Sequence, residues 1–113
     1  MTKNQLLQYR DMKLESIHLE RRLRDIERMN RDCDREYILI LKGVYQEKLQ
    51  ALLEAQLKIE KTIEALDPIE RELMRARYID GKEWVDIVGE VIPYEWTQTH
   101  RIHSRALAKI KDL

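Results

Sequence analysis

Three glycines and two prolines are all the backbone breakers in a chain of 113 residues, so turns are few and long uninterrupted segments must dominate. With 37% charged and 43% hydrophobic residues, such segments read as amphipathic helices. The chain has no Phe and an aromatic share of 6%, which removes most of the side chains that fill sandwiches and barrels. The expected fold class is therefore all-α. The length suits one ordinary domain, or one small domain with an extended helical arm, and excludes a large two-domain enzyme.

Residues 2–29 contain neither Gly nor Pro. Their apolar positions Leu6, Tyr9, Met12, Leu19, Leu23 and Ile26 form one helical stripe, predicting a long amphipathic helix. The stretch from Asn30 to Asp34, which includes Cys33, breaks the pattern and predicts a tight reversal, with Asp32 or Asp34 capping the next helix. From 35 to 66 the residues Ile38, Tyr45, Leu52, Ile59 and Leu66 recur every seven positions, with Leu49 and Ile63 between them, as in a coiled-coil seam. Lys42 and Gln56 interrupt that seam, and Gly43 weakens the helix. Two helices of similar length joined by a short polar turn favour an antiparallel hairpin, expected to self-associate or to bind a partner through residues 1–66. A lone hairpin would leave part of the stripe Ile38, Tyr45, Leu52 and Ile59 facing water.

Leu66-Asp67-Pro68 is the clearest boundary, because Pro68 restricts Asp67 to extended geometry and suits the first position of a new helix. Asp67 is expected to cap that helix, with Glu70 reaching back and Gly81 ending it. A second helix is expected from Glu83 to Val91, with Trp84, Ile87, Val88 and Val91 inward. A turn follows at Ile92 to Glu95, then a last helix from Trp96 to Ile110 with Ile102, Ala106 and Ile110 inward. Residues 67–113 thus form a second domain of three short helices, arranged like a helix-turn-helix.

Lys and Arg total 21, as do Asp and Glu, so only local segregation of charge can create a nucleic-acid surface. Residues 66–95 carry four basic and eight acidic side chains, whereas residues 96–113 carry Arg101, Arg105, Lys109 and Lys111 against Asp112 alone. The basic side chains thus gather on the last helix, the element a helix-turn-helix inserts into the major groove.

The string DPIERELMRARYIDGKEWVDIV, then Tyr94 and QTHRIHSRALAKI, resembles the sigma-70 region-4-like domain of small phage and prophage transcriptional regulators of the RinA and ArpU type. The opening MTKNQLLQYRDMK is similar to the start of such proteins. The resemblance implies sequence-specific binding of double-stranded DNA, contact with bacterial RNA polymerase and activation of late genes. This chain departs from the pattern in a turn one residue longer between Ile87 and Tyr94, in Pro93 within it, and in Glu95 where a Ser or Thr cap is usual. Glu95 suits a helix N-terminus electrostatically but is repelled by phosphate unless it reads a cytosine amino group.

The DNA-binding residues expected on this reading are Trp96, Thr97, Gln98, His100, Arg101, Ser104, Arg105 and Lys109. Gln98, Arg101 and Arg105 lie three and four apart, so one helix face offers base-reading and phosphate-binding groups together. His103 is expected to be partly buried and His100 to face solvent or phosphate. Trp84 falls in phase with core positions, while Trp96 either seals the turn or touches a sugar or thymine methyl. The pair His100 and His103 lacks further clustered ligands, so no metal site is expected. No Gly-rich phosphate loop, nucleophile elbow or paired catalytic carboxylates occur, and neither enzyme activity nor a cofactor is expected. A single Cys33, a polar N-terminus and no apolar run near the roughly 18 residues of a membrane span predict a cytoplasmic protein without a membrane partner, and the resemblance implies that the cell is a bacterial host. The competing reading is a coiled-coil assembly adaptor without specific DNA readout, bound to polymerase or a packaging machine.

Overall fold

The computed structural model describes residues 1–29 and 34–112; the expected reversal at Asn30 to Cys33 and its Asp32 cap lie outside the described residues. The chain is all-α. It runs through α1 (Lys3–Leu7), α2 (Tyr9–Met29), α3 (Arg35–Glu64), α4 (Pro68–Met74), a π-helical turn (Arg75–Ile79), α5 (Trp84–Ile87) and α6 (Trp96–Ile110). Among the described residues there is no strand, only an isolated bridge between Val88 and Ile92. No described helix is long and apolar enough to cross a membrane. The chain divides into two compact units, one of Met1–Arg10 with Lys58–Leu113 and one of Asp11–Leu57. The expected division at 66/67 falls inside the first of these, because Leu6 and Tyr9 are buried with its core rather than with the hairpin.

The Asp11–Leu57 unit is an antiparallel helical hairpin. Asp34 caps α3 by accepting a bond from the Glu36 amide at 3.0 Å. Leu19, Ile26 and Ile38 are buried in the seam, and Met12, Leu23, Tyr45, Leu49 and Leu52 are half-buried along it. The interruption at Gln56 is satisfied from within: its amide donates to Ser16 Oγ at 2.6 Å, Leu52 O at 3.2 Å and Met12 O at 3.3 Å, while Ser16 donates to Met12 O at 2.8 Å. Lys42 reaches Glu27, and Lys48 bridges Glu15 at 2.7 Å. A buried amide with its partners in place fixes the register of two facing helices. Of the stripe expected to face water in part, Ile38 and Ile59 are buried, while Tyr45 and Leu52 stay half-exposed; Leu14, Ile17, Met29, Tyr37, Leu39, Ile40, Val44, Leu53 and Leu57 are the exposed large apolar residues of the hairpin.

The other unit is built from short elements around one core. Thr2 and Gln5 form a capping box: the Thr2 amide donates to Gln5 Oε1 at 2.7 Å and the Gln5 amide to Thr2 Oγ1 at 3.3 Å. Gln8 separates α1 from α2, so the single helix expected over 2–29 is two. The Met1 ammonium donates to Ile110 O at 2.8 Å and Lys111 O at 3.2 Å, at the end of α6 where unpaired carbonyls favour a cation. Leu73, Met74, Ile87, Ile92, Ala106 and Ile110 are fully excluded from solvent, and Leu6, Ile63 and Ala76 nearly so.

Two expected local features are corrected. The helix expected from Glu83 to Val91 ends at Ile87, because Val88 turns extended and Gly89 adopts φ +84°, a conformation that favours glycine. The Gly89 amide donates to Ile92 O at 2.9 Å, and this tight loop buries Ile92 in the place expected for Val91. The capping box expected at Asp67 and Glu70 does not form: Asp67 is extended without a side-chain cap bond, and both carboxylates turn to Lys109. Gly81, at φ +71°, ends the π turn as expected of a glycine there.

Candidate nucleic-acid interface

The last helix occupies the residues expected of it, Trp96–Ile110. Its N-cap Glu95 is extended and makes no side-chain cap bond. Thr99, wholly buried, donates to Glu95 O at 2.8 Å and Tyr94 O at 3.3 Å, which ties its hydroxyl to the backbone entering the helix. Thr99, Ile102, His103, Ala106 and Ile110 form the buried face. This anchoring presents Thr97, Gln98, Arg101, Ser104 and Arg105 to solvent along the opposite side. Trp96, Thr97, His100, Arg101 and Ser104 border a shallow, open depression. Of the eight residues expected to meet DNA, Trp96, Thr97, Gln98, Arg101, Ser104, Arg105 and Lys109 are exposed, and His100 is half-buried.

His100 differs from the expectation. Its ring lies between Trp84 and Trp96, with centroid separations of 4.4 and 4.5 Å, and its Nε2 is buried without a hydrogen-bond partner among the described residues. It therefore packs the two indoles rather than facing phosphate. Trp84 is half-buried rather than central to the core; the Arg77 guanidinium lies 5.0 Å from its ring centroid, and His103 meets its edge at 4.8 Å. Trp96, at 54% exposure, offers the outer end of this column of rings to solvent.

His103 is buried, as expected, with Nε2 2.6 Å from the Tyr78 hydroxyl. Burial is the main cause that lowers its pKa to about 4, with the charges of Lys3, His100 and Arg77 adding to it. Burial likewise raises the Tyr78 pKa. Near neutral pH the pair is therefore a hydrogen bond between a neutral imidazole and a neutral phenol, with the tautomer of His103 setting which of the two donates. Arg77 and Tyr78 were not legible as partners of α6, because they lie on the π turn, whose wider winding departs from the 3.6-residue period.

Lys109, the eighth expected residue, is engaged within the unit: its ammonium bonds Asp67 at 2.8 Å and the buried Glu70 at 2.6 Å. The bonds to these two carboxylates raise its pKa, and the Lys109 contact is the main cause holding Asp67 low. Arg105 contributes to the same lowering of Asp67, so an acidic group lies on the flank of the basic face. The sequence signal for this was the i, i+3 spacing of Asp67 and Glu70, which reads equally as a capping pattern. Among the described residues no cluster of His, Cys, Asp and Glu could hold a metal ion. Comparison with protein-family models, curated proteins and solved structures returns no match, so the reading of the site rests on the chain's own residues.

Proposed function

We propose that this protein is a sequence-specific DNA-binding transcriptional regulator in which α6 is the recognition helix and the hairpin is a self-association element. The observation that carries the reading is the outer face of α6: Thr97, Gln98, Arg101, Ser104 and Arg105 lie exposed on one rigidly anchored 15-residue helix. An amide pairs bidentately with adenine and a guanidinium with guanine, while a cation on phosphate adds affinity without sequence information. Gln98, near the helix N-terminus, reaches base edges; Arg101 straddles bases and backbone; Arg105, a turn further on, meets phosphate. The resemblance to small phage late-gene activators adds the expectation that the bound protein works with bacterial RNA polymerase.

Binding should be measured on duplexes selected from a random pool. Gln98→Ala should cost about 1 to 3 kcal/mol on the preferred site and relax specificity at one position, whereas Arg105→Ala should weaken all sequences alike and flatten the salt slope by about one. Absence of DNA affinity at low salt would refute the reading. A second reading, an assembly adaptor, draws support from the capture of Lys109 by Asp67 and Glu70, which removes a cation from the basic face. It requires no sequence preference and little salt dependence.

A further inference from the structure

Trp96 is the large apolar side chain that α6 leaves in water: at 54% exposure it contrasts with Ile102 and Ile110, which are buried, and Leu107, which is half-buried. Its ring is backed by others. The His100 ring lies 4.5 Å from it, the Trp84 ring 4.4 Å from His100, and the Arg77 guanidinium 5.0 Å from Trp84. Thr97, Arg101 and Ser104 border the same open depression as Trp96 and His100. An apolar wall therefore stands beside two hydroxyls and a guanidinium. It stands near the start of α6, and the first residues of a recognition helix are those that meet base edges in the major groove.

We propose that this depression is a subsite for thymine, in which the Trp96 indole covers the C5 methyl while Thr97, Arg101 and Ser104 surround O4 with donors. The proposal rests on the reading of α6 as the recognition helix and adds an apolar determinant to its polar ones. Base edges in the major groove carry hydrogen-bonding groups throughout, and the thymine methyl is the apolar group among them, next to the O4 acceptor. An exposed ring with donors at its edge matches that pair of groups. Methylated cytosine carries the same methyl beside an amino donor, which a guanidinium cannot accept, so Arg101 favours thymine.

The test uses the full chain and the duplex it selects from a random pool, with each thymine replaced in turn by deoxyuridine, which removes the methyl alone. One replacement should weaken binding by the native chain roughly fourfold, the worth of burying one methyl-sized group. Trp96→Ala, checked for native helicity, should bind the thymine and uracil duplexes with equal affinity. Trp96→Leu, which keeps an apolar wall, should still prefer thymine. C5-methylated cytosine paired with guanine at that position should bind less tightly than thymine paired with adenine. A native chain indifferent to every replacement would overturn the subsite while leaving the recognition helix standing. So would a Trp96→Ala chain that loses affinity but keeps the preference, the mark of a sugar contact. Equal or tighter binding of methylated cytosine would overturn thymine as the occupant. Absence of duplex affinity at low salt would overturn both readings.

Discussion

The hairpin and the short-element unit solve the problem of burying apolar surface in different ways. In the hairpin, two long helices bury a seam of Leu19, Ile26 and Ile38 and leave Tyr37, Leu39, Ile40, Val44 and Leu53 at 41% exposure or more. In the unit of Met1–Arg10 with Lys58–Leu113, short helices converge from several directions and exclude Leu73, Met74, Ile87, Ile92 and Ile110 wholly. Two parallel rods can cover only one side of each other, whereas short elements at varied angles can enclose a volume. The hairpin therefore draws its stability from continuous helix and a polar register lock, and the other unit from enclosed packing.

The sharpest way to break that contrast is to cut into the enclosed interior of one unit and the open apolar surface of the other. Leu73→Ala should destabilise the short-element unit by about 2 to 5 kcal/mol, because a cavity opens where no neighbour can easily collapse. Leu53→Ser on the hairpin surface should change stability by no more than about 0.5 kcal/mol. Both tryptophans, Trp84 and Trp96, belong to the short-element unit, so their fluorescence reports it alone while far-ultraviolet dichroism reports both units. Equal effects of the two substitutions on the fluorescence transition would erase the distinction.

Acid should separate the units next. His103 has a folded pKa of about 4 against an ordinary 6.5, so the unfolded chain binds a proton that the folded chain refuses between those values. Its contribution is fully present above pH 6.5 and is lost as pH falls toward 4, by up to about 1.4 kcal/mol per pH unit and about 3 kcal/mol in total. Denaturant titrations followed by tryptophan fluorescence should show that slope, and His103→Gln should flatten it. An unchanged profile in the variant would mean that another group governs acid lability.

A smaller effect is expected at the hairpin lock. Gln56→Ala should cost about 1 to 3 kcal/mol by removing the buried amide and its bond to Ser16 Oγ, which keeps only its own bond to the Met12 carbonyl, whereas Ser16→Ala combined with Gln56→Leu should be near neutral. Amide hydrogen exchange along α2 and α3 should then reveal whether the double variant, though stable, samples a slipped register. Protection identical to the native chain would show that apolar packing alone sets the alignment.

What the sequence by itself determined is the periodic part of this protein. The scarcity of Gly and Pro, the seven-residue recurrence from Ile38 to Ile59 and the stop at Asp67-Pro68 depend on local backbone chemistry, and each yields an element within a few residues of its observed bounds. The exposed face of α6 follows equally, since Thr97, Gln98, Arg101, Ser104 and Arg105 lie opposite an apolar stripe on one regular helix. Only the tertiary structure decided which polar groups are spent inside. Lys109 looks like Arg105 in sequence, but Asp67 and Glu70 meet it from α4 and its N-cap; His100 looks free, but Trp84 and Trp96 enclose it from two elements. Membership of the first ten residues in the short-element unit was equally hidden. The reason is physical: periodicity records the direction in which a side chain leaves its own helix, whereas pairing depends on what arrives from elsewhere in the chain, after a π turn and two glycines have set directions that no local repeat encodes.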